Sequence, residues 1–394
     1  MHARYRYRFY PNAQQRQQLA RQFGCTRFVY NWALGIKSQA YRERAQKISY
    51  AQTDKRLTAL KQQPETAWLQ EVSSVPLKQA LRHLEKAYTA FFRGTARFPR
   101  FKARKHRQSA TYTAFAFSIR DSGVRGQPVI KLAKQAAPLK IRWSRPLPSR
   151  ADGSISTPKS LTVVLEPDGR YYISFVVEVN PEPLPRTKRS VGIDLGLTDV
   201  VVTSEGWHSG NPRHLKRAQQ RLALEQRRLA KKVKGSANWH RQRRKVARAH
   251  ARVQSRRHDF LHQLSTRLVR RYDTICTESL NVRGLVKNHA LARSISDAGW
   301  SRFLGMLAYK AAWYGKTLVQ IDRWFPSSKT CSRCGYTLET LPLAVRRWRC
   351  PNCQAEHERD VNAAINIEAV GQTVLACGER VRPALALVSE GGSR

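Results

Sequence analysis

The sequence predicts a multidomain chain of mixed class, α+β in its first half and α/β in its second, carrying a small zinc-binding insert. Three observations predict it. At 394 residues the chain exceeds the roughly 250–300 residues that one hydrophobic core usually serves, so several domains are expected. Its apolar pattern changes from helical to strand-like near residue 110, and strand and helix patterns alternate from residue 190 onward. Two Cys-x-x-Cys pairs interrupt that alternation near the end.

Residues 4–10, RYRYRFY, alternate basic and aromatic side chains with a period of two and read as a strand that Pro11 ends. Residues 12–88 then turn helical. Leu19, Phe23, Phe28, Val29, Trp32 and Leu34 recur at helical spacings, as do Leu77, Leu81, Leu84 and Tyr88, which predicts a domain of four helices. From 110 to 179 the runs TYTAFAFSI, LTVVLE and RYYISFVVEV are short and β-rich, and PDGR at 167–170 is a hairpin turn. A small antiparallel barrel completed by the first strand fits this pattern. NPEPLPRTKRS, at 180–190, reads as a linker because three prolines stiffen it.

The next domain opens with SVGIDLGLTDVVVTSEG. Leu215, Leu222 and Leu229 lie seven apart, as do Trp239, Val246, Val253 and Phe260 after the break KGSA, so a coiled helical hairpin is expected. YDTICTESL returns to strand, SISDAGWSRFLGMLAYKAAWYG to helix and KTLVQIDRW to strand, the alternation of an α/β domain. Beyond residue 370 periodicity ends, and a tail is expected.

The charge identifies a partner class. Seventy-two Lys and Arg against 27 Asp and Glu give +45, an excess that a polyanion must neutralise, and nucleic acid is that polyanion. The basic residues cluster. Between 211 and 257 there are 17 Lys or Arg and one acid, Glu225. RFPRFKARKHR, at 97–107, sets six cations around Phe98 and Phe101, a mixture suited to phosphate contact with stacking support. No run of 18 apolar residues occurs and the first residues are too polar for a signal peptide, so the expected compartment is the cytoplasm, without membrane association.

In that compartment structural disulfides are rare, and the cysteines read as a metal site. Cys331 and Cys334 are separated by 15 residues from Cys350 and Cys353, within the window for one structural Zn²⁺ held by four thiolates. Gly335 follows the first pair where a knuckle turn favours glycine, and Gln354 stands at the matching place in the second. Cys25, Cys276 and Cys377 read as ordinary thiols.

Three acids stand out in so basic a chain. Asp194 is flanked by Ile193 and Leu195, Glu278 ends the strand ICTE, and Asp360 heads the helical run DVNAAINIEA. An ionised carboxylate in apolar surroundings is costly without compensation. Taken singly, each also reads as a turn, surface or N-cap acid. Together they fit hard-oxygen ligands that hold two Mg²⁺ about 4 Å apart for phosphodiester cleavage. GIDLG also occurs in the phosphate loop of sugar-kinase-type ATPases, a reading that explains neither the cysteines nor the charge.

With these residues in view the chain resembles the TnpB family, RNA-guided nucleases encoded by insertion sequences and ancestral to type V CRISPR effectors. RFVYNWAL, FPRFK, VGIDLGLTD, the strand ending in Glu278, SISDAGW, FPSSKTCSRCG and the CPNC to RDVNAAINI run carry the resemblance over nearly the whole chain. It implies a wedge barrel whose first strand is 1–10 and whose remainder is 110–182, with a helical recognition domain at 11–109. It further implies an RNase H-like RuvC nuclease domain at 183–326 with the basic hairpin at 212–270, a zinc ribbon at 327–356, a last nuclease segment at 357–370 and a flexible tail at 371–394.

Asp194, Glu278 and Asp360 become catalytic Mg²⁺ ligands under this resemblance. Guide RNA and target double-stranded DNA become the partners of a monomeric protein in a ribonucleoprotein. Tyr50 matches a family position on the surface that reads the target-adjacent motif, with Lys78 nearby. Arg97, Phe98, Arg100, Phe101, Lys102, Arg241, Arg244 and Arg248 are the expected backbone contacts. Rival readings are a strand-joining transposase using the same acids and a non-cutting RNA-guided repressor.

Overall fold

The alternation in the first strand sets the architecture of the N-terminal unit. In the computed structural model, which describes residues 1–124, 126–148 and 156–377, the chain divides after Asn180 into two units. Strand β1 (His2–Phe9) points Tyr7 and Phe9 into a core and leaves Arg6 and Arg8 outside, where the Arg6 guanidinium stacks 3.9 Å over the Tyr172 ring.

Helix α1 (Ala13–Arg44) starts at a capping box in which Asn12 Oδ1 accepts the Gln15 N–H at 2.8 Å and Gln15 Oε1 accepts the Asn12 N–H. Helix α2 (Tyr50–Leu60) has the same device in Ser49 and Gln52. A 3₁₀ turn and α3 (Ser74–Phe92) complete the helices, so three α-helices stand where four were expected.

Strands β2 (Gln108–Thr113), β3 (Phe117–Arg120), β4 (Val129–Leu132), β5 (Ile141–Arg142), β6 (Ser160–Leu165) and β7 (Tyr171–Glu178) follow. Five of the strands form an antiparallel sheet in the order β2-β6-β7-β1-β5, and β3 with β4 is a separate hairpin packed on the same core. The first strand does complete the sheet, pairing with β7 from His2↔Glu178 to Phe9↔Tyr171. Helix α1 serves two cores: Leu19 and Phe23 pack with the sheet, while Val29, Ala33 and Leu34 pack with Leu57, Leu77, Leu81 and Leu84.

The second unit is built on β8 (Ser190–Asp194), β9 (Val202–Thr203), α4 (His214–Ala230), α5 (Ala237–Arg271) and β10 (Thr274–Glu278). They continue into α6 (Val282–Leu285), α7 (Ala292–Ala298), α8 (Trp300–Tyr314), β11 (Thr317–Ile321), β12 (Arg347–Arg349), β13 (Glu356–Glu358) and α9 (Arg359–Ala376). The sheet runs β11-β10-β8-β9, with β8, β10 and β11 parallel and β9 antiparallel.

Alternation gives each parallel strand two faces. Val191, Ile193, Ile275 and Leu318 pack against residues of α5 and α8, such as Leu261, Leu268, Phe303 and Leu307. Cys276, Val319 and Ile321 face Ile367 of α9. The hairpin of α4 and α5 closes on Leu222 and Val253, and Gln242 Nε2 donates to Glu225 Oε2 at 2.6 Å inside it, which fixes the register of the two arms. At its base Arg257 donates to Asp297 Oδ1, and Asp297 Oδ2 caps the Leu215 N–H at 2.9 Å.

Two boundaries differ from expectation. The ribbon's β12 and β13 pair through Arg347↔Glu358, so the ribbon passes into α9 without a linker. Helix α9 also extends past residue 370, because Val370, Val374 and Leu375 continue its apolar face and Gly371 lies flat on Cys276. Of the expected tail, 378–394 lies outside the described residues. Among the described residues no helix is long and apolar enough to cross a membrane.

Gly192 governs the contact between α9 and β8. A Cβ there would lie 1.9 Å from the Ala364 carbonyl oxygen and 2.7 Å from the Glu368 nitrogen, both backbone atoms. Gly192→Ala is therefore expected to destabilise the second unit by about 1–3 kcal/mol or more, read as a lowered urea midpoint. An unchanged midpoint would show that α9 is free to lift away.

Candidate active site

Parallel pairing in register brings two of the acids together. Ile193 is the partner of Thr277, so Asp194 and Glu278 follow at one level, and alternation turns both toward the face that α9 covers. Asp360 is the second residue of α9, in its first turn, where the helix dipole favours an anion.

Asp194 lies within electrostatic reach of the other two acids, while among the described residues the only group of three or more metal-ligating side chains drawn within 4.8 Å of one another is that of the four cysteines. Burial first, then the Glu278 and Asp360 carboxylates, raise the Asp194 carboxyl to about 7 against the opposing Leu195 N–H and Arg359. Glu278 is raised as well, by burial, while the Ser327 hydroxyl that donates to its Oε1 opposes the shift. Arg346 Nη1 lies 3.3 Å from both oxygens of Asp360. Carboxylates so placed offer hard oxygen donors to a divalent cation, and Arg359 is the cation that opposes them at Asp194.

Residues that the sequence did not single out hold this arrangement. Asn362 and Asn366, four apart on the buried face of α9, both donate to the Thr330 carbonyl at 2.7 Å, and Asn366 also donates to the Ser327 carbonyl at 2.8 Å. Asn362 Oδ1 accepts the Ser332 N–H at 3.0 Å. The loop so anchored carries Ser327, which touches Glu278, and Cys331 of the ribbon. Further along α9, Glu368 accepts from the Ser190 and Ser204 hydroxyls and so fixes the helix along β8. Two asparagines four apart in an otherwise apolar helix were the available signal, since a buried amide needs partners.

The ribbon brings its four cysteines together: the Sγ atoms of Cys331, Cys334, Cys350 and Cys353 all lie within 4.8 Å of one another. Two of these pairs are 3.6 Å apart, close to the about 3.8 Å edge of a tetrahedron with Zn–S of about 2.3 Å, so the donors fit zinc. Matching knuckles present them, with the Gly335 N–H on Cys331 O and the Gln354 N–H on Cys350 O, both at 2.9 Å. Both turn residues are left-handed, φ 78° at Gly335 and 59° at Gln354. His357 Nε2, unsuspected from sequence, sits 3.0 Å from Cys331 Sγ, where a hydrogen bond would orient the thiolate. Cys25 and Cys276 are buried and Cys377 is exposed.

The expected nucleic-acid contacts fall into three groups. Tyr50 and Lys78 lie on α2 and α3 of the first unit, where Lys78 pairs with Asp54 at 3.3 Å and the Arg82 guanidinium lies 5.8 Å over the Tyr50 ring. In the 97–102 segment Phe101 is 65% exposed, whereas Phe98 packs edge-on against Tyr88 and Phe91 and so does packing duty as well. Arg97, Arg100 and Lys102 are exposed there, with Lys102 Nζ 3.8 Å over the Tyr30 ring. Arg241, Arg244 and Arg248 are exposed on α5 of the second unit.

An RNase H-like fold with an inserted ribbon is the class that this topology defines. Comparison with known proteins agrees. Family models match residues 174–289 ("Probable transposase"), 300–367 ("Cas12f1-like, TNB domain") and 1–46 ("Helix-turn-helix domain"); the last stretch is here β1 and the single long helix α1. A Streptomyces pristinaespiralis protein named "Putative RNA-guided DNA endonuclease" is 50% identical over 96% of this chain and 92% of its own. Escherichia coli InsQ, of the same description, is 32% identical over 98% and 96%. In fold, the Cas12f1 protein of a complex with guide RNA and target DNA superposes with a TM-score of 0.58 at 14% identity, over 90% of this chain and 83% of that one. The chain belongs to the TnpB family.

Two outcomes test the site. Asp194 in magnesium-free folded protein keeps its proton to about pH 7 and loses it near 4 when unfolded, so the folded state binds the extra proton in that window. Through this group, stability should rise as pH falls from above 7 toward about 4, and Asp194→Asn should flatten the slope in urea melts; an identical slope would refute the shift. Cys350→Ser should lose zinc by metal analysis and lower the melting temperature of the second unit, because α9 follows the ribbon without a break.

Proposed function

We propose that the chain is an RNA-guided DNA endonuclease of a transposable element, cutting target DNA beside a short target-adjacent motif by Mg²⁺-dependent phosphodiester hydrolysis. The in-register pairing that sets Asp194 beside Glu278 on adjacent strands, with Asp360 within electrostatic reach, supports this reading. The +45 charge and the curated relatives named as RNA-guided endonucleases supply the nucleic-acid partners, guide RNA and duplex target.

In this reading the three carboxylates would hold Mg²⁺, which when bound offsets phosphate charge and makes water a stronger nucleophile. The chain's own residues prepare that site. Ser327 fixes one oxygen of Glu278 by donating to it. Asn362 and Asn366 hold the loop of Ser327 on the helix that carries Asp360, so two of the acids are set by one hydrogen-bonded unit. Zn²⁺ on Cys331, Cys334, Cys350 and Cys353 would be structural, since four thiolates leave no open position.

The exposed Arg241, Arg244 and Arg248 on α5 suit the backbone of RNA or of a guide–target duplex, and Tyr50 with Lys78 would face the motif. Retention of all three acids argues against a non-cutting repressor, which has no need to keep them.

The test uses the complex of protein, copurified RNA and a matched duplex. Asp194→Ala should lower cleavage at least about a thousandfold while RNA binding is unchanged. Cleavage at the wild-type rate would sink the assignment, and joined transposon ends in place of cut target would favour a transposase. Asn366→Ala should slow cleavage less severely, with the Mg²⁺ concentration needed for half-maximal rate raised; an unchanged requirement would deny the loop a part in setting the acids.

A further inference from the structure

The aromatic residues at the end of α3 are locked together, yet part of them stays in water. Gly94, left-handed at φ 69°, turns the chain back, and the Thr95 and Ala96 N–H groups donate to the Ala90 carbonyl at 3.0 and 3.1 Å. The reversal returns Phe98 to the helix it has just left. Its ring meets those of Phe91 and Tyr88 edge-on, with centroids 5.4 and 5.7 Å away, while Phe92 stacks on Tyr88 at 6.3 Å. Phe92 is nonetheless 74% exposed and Phe98 47%. A phenyl ring left in water adds little to folding, so packing alone does not account for Phe92.

The segment that follows is fastened at its far end as well. Asn31 of α1 makes an amide pair with Lys102: its Nδ2 donates to the Lys102 carbonyl at 2.9 Å, and its Oδ1 accepts the Lys102 N–H at 2.8 Å. The stretch from Gly94 to Lys102 is therefore tied to α3 by one end and to α1 by the other, and its rings are ordered before any partner arrives. Rings fixed in advance lose little further freedom on binding. We propose that Phe92 and Phe98 form a stacking platform for an unpaired nucleobase, with Arg93, Arg97 and Arg100, beside them in the chain, holding the flanking phosphates. The proposal rests on the nucleic-acid partners of the reading above and not on the carboxylates that would cut.

Charge selects the occupant. From Lys86 to Arg107 the chain carries eight Lys or Arg and no Asp or Glu, and the acid just before this stretch, Glu85, is paired with Lys37. A second copy of the chain would set these cations against themselves. A nucleotide answers both features at once, with a phosphate for the guanidinium groups and a π face for the ring. The base must be unpaired, because within a duplex both of its faces are already stacked on neighbours. Every base has such a face, so the platform adds grip on a strand without reading its sequence. RNA and DNA both offer this group, and a ring does not address the 2′-OH that separates them.

The experiment photocrosslinks the full chain to single-stranded oligonucleotides carrying 5-iodouracil, one of RNA and one of DNA, and maps the adducts by mass spectrometry. An adduct on Phe92 or Phe98 is expected with at least one of them; RNA alone assigns the platform to the guide, DNA alone to the target. Adducts only elsewhere with both strands would overturn the proposal. Affinity for the crosslinked strand is then measured in moderate salt, which weakens phosphate contacts and spares stacking. Phe92→Ala and Phe92→Leu should each bind about tenfold more weakly, the scale of one lost base–aromatic stack, and Phe92→Trp at least as tightly as wild type. The salt slope should stay unchanged in these variants and fall by about 0.7 in Arg97→Ala. Wild-type affinity in Phe92→Leu, or a melting temperature that falls with the affinity, would assign the ring to packing and sink the platform. So would a dimer in sedimentation that Phe92→Ala abolishes. A chain that crosslinks at Phe92 and cuts no matched target fails the nuclease reading alone.

Discussion

The seating of α9 on β8 is the contact on which the rest of the second unit depends. Two acids reach the site on adjacent parallel strands, but the third arrives on a helix, and a helix can slide or lift. Gly192 removes the side chain that would keep the backbones apart, and Glu368 fastens the helix to Ser190 and Ser204 along its length. Asn362 and Asn366 then hold the loop that comes from the ribbon. Each of these contacts is polar or steric and short-ranged, so the position of Asp360 is fixed by geometry more than by hydrophobic burial.

That precision answers an electrostatic difficulty. In a chain of +45, most of the surface attracts phosphate without discrimination, and chemistry requires one place where the sign reverses. Burial comes first in holding the Asp194 proton up to about 7, and repulsion from the Glu278 and Asp360 carboxylates adds to it. The folded scaffold sustains the repulsion because the β8–β10 register and the α9 contacts fix the strands and the helix that carry the acids. A divalent cation relieves the strain and a single proton relieves part of it, so metal and acid compete for the same oxygens.

Much of this was legible in the sequence, and most of the exceptions are polar residues whose partners lie far along the chain. The cysteine spacing, the acids in apolar strands and the switch of period near residue 110 are local patterns, and local patterns survive without coordinates. Ser327, Asn366 and Glu368 act through partners 49, 39 and 178 residues away, respectively, and a polar residue whose partner is distant looks like any other polar residue. His357 escaped for the opposite reason, since a histidine next to a complete cysteine set adds nothing to the spacing. Phe98 was read as a ligand contact because exposure and packing cannot be separated for an aromatic among cations. The extension of α9 past residue 370 was missed because Gly371 reads as a helix breaker unless the close approach of Cys276 is known.

The pairing of β1 with β7 has a consequence for how the first unit comes into being. Beyond the two residues that pair with β5, its first strand has no sheet partner until residues 171–178 exist, and the register with β7 runs from one end of the strand to the other. During synthesis the ribosome must therefore release nearly the whole unit before its opening eight residues can pair, while α1, already capped, waits with Leu19 and Phe23 uncovered. The basic residues on β1 are suited to that interval: an unpaired strand bearing Arg4, Arg6 and Arg8 repels its own copies on neighbouring chains.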